Sequence, residues 1–289
     1  MILLLQQILN GLIIGSTYAV VAVGFSLVFT VLRVINFAHP DIFMLGMFAG
    51  LWGAHLVSSN IVVVLLLGAA GAGLFGLVLE QVVIRPLRGR DVLMTLIATL
   101  GVAIMLENGM ALIEGPDPVA YPTLLPQAPV HLGGIAIGSR QLANFALSLL
   151  VLGFASWYVR ATRYGRATRA IAERPDVAAA FGVNVDVIAR ITVVLASMMA
   201  GVAAVSVGAL YGSAWVFVGT LYGLKAFIVM LVAGNRYFEG VVAVALGLGV
   251  VEALVTGYIS SSLTDAVAFC LLILVLYFRP DGLFGSYAI

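Results

Sequence analysis

Residues 61–83 read IVVVLLLGAAGAGLFGLVLEQVV. No charge appears until Glu80, and the run is as long as the roughly 20 apolar residues needed to cross a bilayer as a helix. It is too long and too continuous for a barrel strand. In hydrocarbon the backbone must satisfy its own hydrogen bonds, so the run reads as a membrane-spanning helix. Working outward, similar runs lie at about 6–31, 40–57, 92–113, 141–159, 188–211, 221–234, 238–257 and 264–278. The 221–234 run is short, and 40–57 reads as broken or re-entrant. The expectation is an all-α polytopic transmembrane bundle of eight or nine helices, forming a single permease domain over residues 1–289.

Composition agrees. Of 289 residues, 63% are hydrophobic and 9% charged, against roughly 25% charged in a soluble domain. The apolar surplus must therefore face lipid. A net charge of +1 argues against nucleic acid as a partner. The lone cysteine, Cys270, sits in an apolar run and reads as packing. Residues 1–10 hold no Lys or Arg but carry Gln6, Gln7 and Asn10, so they read as the start of a retained span rather than a signal peptide.

Arginine placement sets the expected orientation. With nine spans in strict alternation, Arg33, Arg85, Arg88, Arg90, Arg160, Arg163, Arg166, Arg169, Arg174, Arg190, Arg236 and Arg279 share one side, leaving Arg140 and Lys225 on the other. The positive-inside rule makes the first side cytoplasmic. The N-terminus is then outside and the C-terminus cytoplasmic. The loop at 114–140, rich in Pro and Gly, is expected outside, and the charged loop at 160–187 inside.

Catalytic signatures are missing. A P-loop needs GxxxxGK[ST], and the single lysine, Lys225 in GTLYGLKAF, has neither the spacing nor the following residue. His39, His55 and His131 show no metal-ligand spacing. No GxSxG elbow appears. The chain reads as no enzyme, with no metal or cofactor of its own.

Four features remain. Small-xxx-small steps at Gly11/Gly15, Gly46/Gly50, Gly208/Gly212 and Gly219/Gly223 suit close helix packing, or else a pore or subunit contact. Between two apolar stretches stand Asn36, His39, Pro40 and Asp41; Pro40 breaks the helix there and opens a new one. Such a break either presents backbone to a pathway or is an interfacial turn. Ionisable residues inside spans are costly and seek a cavity or a partner. Glu107, Lys225, Glu252 and Asp265 are of this kind, with Glu80 nearer an end. A Lys225–Glu252 or Lys225–Asp265 pair is expected, serving structure or a zwitterionic solute. In the 160–187 loop, Arg166 to Ala172 favours helix, Pro175 starts a second turn, 176–181 forms a short element, and Gly182 stops it. That element either docks on a cytoplasmic partner or lies on lipid headgroups.

Five collinear stretches resemble the LivH-type permease subunits of branched-chain amino acid ABC importers. They are GLIIGSTYAVVAVGFSLVFTVLRVINFAH (11–39), EQVVIRPLRGRDVLMTLIATLG (80–101), RATRAIAERPDVAAAFGVNVD (166–186), GLKAFIVMLVAG (223–234) and VVEALVTGYISSSLTDAVAFCLLILVLYFRPDGLFG (250–285). The resemblance implies a bacterial inner-membrane permease that pairs with a second, LivM-like permease. It also implies two cytoplasmic ATPase subunits, which use the ATP, and a periplasmic solute-binding protein. The 166–186 stretch then looks like the segment that couples to an ATPase. Arg174, Pro175, Asp176, Gly182 and Asn184 would lie at that contact, with Arg166 opening the stretch. Asn36, His39, Glu107, Lys225 and Glu252 are the candidate pathway residues. Related subgroups carry branched-chain amino acids, urea, short amides and aromatic acids. Two departures stand out: Pro40 and Asp41 follow INFAH where the family has Gly and then an acid, and AGNRYFEG (233–240) replaces a Gly-rich stretch. The alternative from another class is an ion-coupled secondary transporter using Glu107, Glu252 or Asp265 as a proton relay.

Overall fold

The computed structural model describes residues 2–126, 128–132, 135–234 and 238–284. Asn235, Arg236 and Tyr237 of the divergent stretch, the His131 side chain and Gly285 lie outside the described residues. The long helices are α1 (Ile2–Leu32), α2 (His39–Leu56), α3 (Ile61–Leu79), α5 (Val92–Glu114) and α6 (Ser139–Ala161). They continue as α9 (Val185–Tyr211), α10 (Val218–Ala233), α11 (Phe238–Tyr258) and α12 (Thr264–Phe278). Two shorter helices, α7 (Arg163–Glu173) and α8 (Pro175–Ala180), fill the charged loop. Small antiparallel pairings join β1 (Val119–Ala120) to β4 (Ser213–Ala214) and β2 (Pro129–Leu132) to β3 (Ile135–Gly138).

The 61–83 run is helical throughout but changes pitch. After α3 the chain makes a π turn at Glu80–Ile84 and ends in α4 (Arg85–Leu87). Pro86 accounts for this: it lacks an N–H and its ring crowds the carbonyl four residues back, so the turn before it widens.

Among the described residues, seven helices are long and apolar enough to cross a membrane: Ile2–Leu32, Ile61–Leu87, Val92–Glu114, Ser139–Ala161, Val185–Tyr211, Phe238–Tyr258 and Ser261–Phe278. A count of eight or nine requires α2 and α10 as well. Both are enclosed by the bundle, with α2 packed among α3, α9, α10 and α5. The break expected near Pro40 lies just before α2. The chain leaves α1 at Arg33 (φ 55°), runs irregularly to Ala38, and starts α2 with Pro40 in its first turn. Phe37 N–H donates to Thr99 Oγ1 (3.2 Å), about two turns into α5, so the irregular backbone lies inside the bundle. Irregular backbone survives at that depth only where protein encloses it.

Glycines set the closest approaches. A Cβ on Gly15 would lie 2.8 Å from the Ala245 carbonyl, and one on Gly11 2.5 Å from Val250 Cα, so α1 and α11 touch backbone to backbone. Gly46 of α2 likewise seats Gly201 of α9, and Gly219 and Gly223 seat Pro40. At these steps the small residues serve packing. Gly212 instead ends α9 in the left-handed region (φ 69°).

Helix ends sort into two groups. At one end Arg33 Nη2 donates to the Ala172 carbonyl (2.6 Å), Arg88 pairs with Asp186 and Arg160 pairs with Glu239. At the other, Trp52 Nε1 donates to Glu114 Oε1 (2.6 Å), Trp215 Nε1 to the Pro116 carbonyl (3.0 Å) and Arg140 Nε to the Leu125 carbonyl (3.0 Å). Lys225 belongs to neither rim: it is buried inside the bundle.

Candidate functional site

Three helices bring a lysine and its acceptors together. Lys225 of α10 places Nζ 3.0 Å from Glu252 Oε2 on α11 and 3.1 Å from Tyr18 Oη on α1. Tyr18 Oη in turn donates to the same Glu252 oxygen (2.8 Å). A fourth group, Asp265 Oδ1 at the start of α12, is 3.2 Å from Nζ. Lys225 is 8% exposed and Glu252 3%, whereas the Asp265 side chain is 60% exposed. Burying an ammonium costs several kcal/mol unless paired and hydrogen-bonded, so the triple contact is what makes the position tolerable. Tyr222, one turn before Lys225, stacks on Phe43 (5.2 Å) and meets Tyr18 edge-on (5.6 Å), fixing α10 against α1 and α2.

The cluster floors a cavity of about 840 Å³. Its walls include Gln7, Asn10, Gln141 and Thr256, and it reaches Arg140, Ser213 and Trp215 at the loop-rich end. Glu252 Oε1 is buried and has no hydrogen-bond partner among the described residues. The floor thus offers an ammonium and a carboxylate side by side beneath a vestibule of mixed polar and apolar walls, an arrangement dipolar in the same sense as a zwitterion.

The remaining pathway candidates lie elsewhere. Asn36 is buried in the break between α1 and α2, and His39 is buried at the first position of α2. Asn36 Oδ1 accepts from Ala38 N–H (3.1 Å), while His39 packs edge-on to Phe25 (5.4 Å). Neither His39 ring nitrogen has a hydrogen-bond partner among the described residues. Glu107, half-buried on α5, accepts from Thr220 Oγ1 (3.2 Å) and does not join the lysine cluster. Among the described residues, no group of three His, Cys, Asp or Glu side chains could hold a metal ion.

Two polar networks escaped the sequence reading. Asn144 Nδ2 donates to Thr17 Oγ1 (3.0 Å) and accepts at Oδ1 from Ser206 Oγ (2.5 Å), tying α6, α1 and α9 together. Uncharged polar residues so far apart in sequence carry no pairing signal. At the other end, fully buried Glu80 in the π turn pairs with Arg88 (2.9 Å) and Arg190 (3.5 Å), and Arg88 extends to Asp186. Arg88 on the turn after Pro86 was the available hint.

The loop candidates cluster. Arg174 precedes α8 in extended conformation and Asp176 lies in its first turn; both are exposed and 4.0 Å apart. Gly182 (φ 84°) reverses the chain, and Asn184 Oδ1 accepts from Val187 N–H (3.1 Å) to cap α9. Arg166 is exposed on α7. Ala178 is buried with Val31, Ile171 and Ile188, anchoring one side of α8, while Val177 and Phe181, the latter 85% exposed, point away.

The sequence family described as branched-chain amino acid transport system / permease component matches residues 7–276. The chain belongs to this family. The permease is 36% identical to the high-affinity branched-chain amino acid transport system permease protein BraD of Pseudomonas aeruginosa, over 97% of this chain and 95% of that one. It is 35% identical to LivH of Salmonella typhimurium and 34% to LivH of Escherichia coli, with the same coverage. Among solved structures, a chain of PsaBC from Streptococcus pneumoniae in complex with Fab shares the fold (TM-score 0.51, 12% identity, 94% of this chain and 91% of that one). The permease is accordingly a multi-pass protein of the bacterial inner membrane, one component of an ABC-type transport system.

Proposed function

We propose that this permease carries branched-chain amino acids or related small amides inward. It would pair with a second, LivM-like permease, be driven by two cytoplasmic ATPase subunits, and be supplied by a periplasmic binding protein. One observation carries the reading. A charged floor lies beneath a cavity at the loop-rich end, while an exposed apolar knob, Val177 on α8 and Phe181 just after it, stands at the arginine-rich end. The first suits a solute that brings one ammonium and one carboxylate, met by Glu252 and by Lys225. The second suits insertion into a partner that moves. The positive-inside rule puts α8 in the cytoplasm, where ATPases are. ATP then acts by differential binding to outward- and inward-open states, transmitted through α8 to the base of α9.

Reconstitution tests this. Proteoliposomes holding the permease pair and ATPases should take up leucine only with ATP and binding protein, and should continue after the proton gradient is collapsed. Uptake that needs the gradient and ignores ATP would establish the ion-coupled alternative instead.

A further inference from the structure

A second cavity, of about 940 Å³, opens at the arginine-rich end where α1, α6, α7 and α11 converge. Its character changes with depth. Along α1 its wall runs from Val23 through Ser26, Leu27, Phe29 and Thr30 to Arg33, ten residues and so roughly 15 Å, and is mainly apolar. Val159 of α6 and Val241 of α11 continue the apolar lining. The mouth is different: four guanidiniums, Arg33, Arg160, Arg169 and Arg174, face two carboxylates, Glu173 and Glu239. Arg160 is paired with Glu239. Arg33 gives one donor to the Ala172 carbonyl but keeps its charge. Arg169 makes no ion pair among the described residues. The rim therefore carries surplus positive charge over an apolar slot.

The shape of the slot restricts the occupant. A soluble anion would use the rim and leave the apolar depth empty. A docking protein surface would stop at the mouth. A molecule with an anionic head and a long apolar tail satisfies both parts at once. Helix α7 supports this placement. It buries Gly165, Thr168 and Ile171 against the protein, Ile171 beside Val31, Ala178 and Ile188, and exposes Arg163, Arg166 and Arg169, so it presents basic side chains beside the slot. Basic pockets between membrane helices are where anionic lipid headgroups are held.

We propose that this slot seats an anionic phospholipid of the leaflet at the arginine-rich end, its phosphate on Arg33 and Arg169 and an acyl chain along Val23, Leu27 and Val159. The proposal rests on the membrane fold alone and is independent of which solute the permease carries. A bound lipid would join the ends of α1 and α11 to α7, the helix that leads into α8.

The test is native mass spectrometry of the assembled transporter, released from detergent after titration with dioleoyl phosphatidylglycerol, dioleoyl phosphatidylcholine or glycerol 3-phosphate. Phosphatidylglycerol should be retained in preference to phosphatidylcholine. The Arg33→Gln/Arg169→Gln pair should weaken that retention roughly thirtyfold. Val159→Trp fills the slot but keeps every arginine, so it should expel the lipid as well. If the arginine variant fails to assemble, Val159→Trp alone decides. Equal retention of both lipids, or retention unchanged by Val159→Trp, overturns the proposal. Binding of glycerol 3-phosphate as tight as that of the lipid and indifferent to Val159→Trp would make this a soluble-phosphate site and overturn it too.

Discussion

Lys225 and Glu252 lie 27 residues apart on successive helices, and their side chains meet at 3.0 Å in the interior of the bundle. Neither could be there alone. Lys225→Ala leaves Glu252 buried with only the Tyr18 hydroxyl, and breaking a buried pair from one side costs about 3–5 kcal/mol. Replacing both, Lys225→Met with Glu252→Leu, removes the charges together and should restore most of that stability. Thermal unfolding in detergent reads the stability. Uptake should be lost in the single and the double variant alike, because neither then offers an ammonium to the solute's carboxylate. Full uptake in the double variant would leave the pair a purely structural role.

The α8 element separates coupling from folding. Gly182 sits at φ 84°, open to solvent, with no atom within 4 Å of where a Cβ would be. A β-branched residue there costs about 1–3 kcal/mol of local strain and no packing. Gly182→Val should therefore insert and assemble normally, yet turn Phe181 away from its partner. The expected outcome is ATP hydrolysis retained and leucine uptake lost in the reconstituted transporter. Normal uptake in Gly182→Val combined with Asp176→Ala would count against this surface as the coupling contact.

Glu80 anchors the arginine-rich end. Its carboxylate is fully buried while Arg88 and Arg190 are 22% and 35% exposed, so solvent shields the cations if the acid is removed. Glu80→Ala should cost about 3 kcal/mol, the low end for a broken buried pair. Because Arg88 keeps Asp186, Asp186→Ala in the Glu80→Ala background should cost more than in the wild type. A double-mutant cycle on unfolding temperature measures that coupling.

The parts of this structure that were legible are those where hydrocarbon forces a choice. The charge-free stretch Ile61–Leu79 had to be a helix, Pro40 had to interrupt one, and Lys225 had to find an acid. Tyr18 was not legible, because a tyrosine in an apolar run looks like packing until its hydroxyl is seen on Glu252. Nor could the sequence tell that other helices, rather than lipid, surround α2. Burial by other helices and burial by lipid select the same apolar residues, and only the packing shows which surrounds it. The structure places Asn36 in the break before α2 and His39 at the first position of α2, both apart from the lysine cluster.

The contact between α1 and α11 sets the register that brings Glu252 to Lys225. On α11, Gly249 lies one turn before Glu252, and a Cβ there would fall 2.5 Å from Gly15 Cα, backbone that cannot step aside. Two residues earlier, Gly247 has nothing within 4 Å of the same point. In an otherwise identical helix, Gly→Ala gains up to about 1 kcal/mol of intrinsic propensity. Gly247→Ala should realise that gain and leave uptake alone. Gly249→Ala should instead lose about 1–3 kcal/mol to overpacking. It can relieve the clash only by shifting α11, which pulls Glu252 off Lys225, so uptake should fall further than stability does. Equal behaviour of the two variants in unfolding and uptake assays would show that the helices are not in backbone contact here and that the register argument fails.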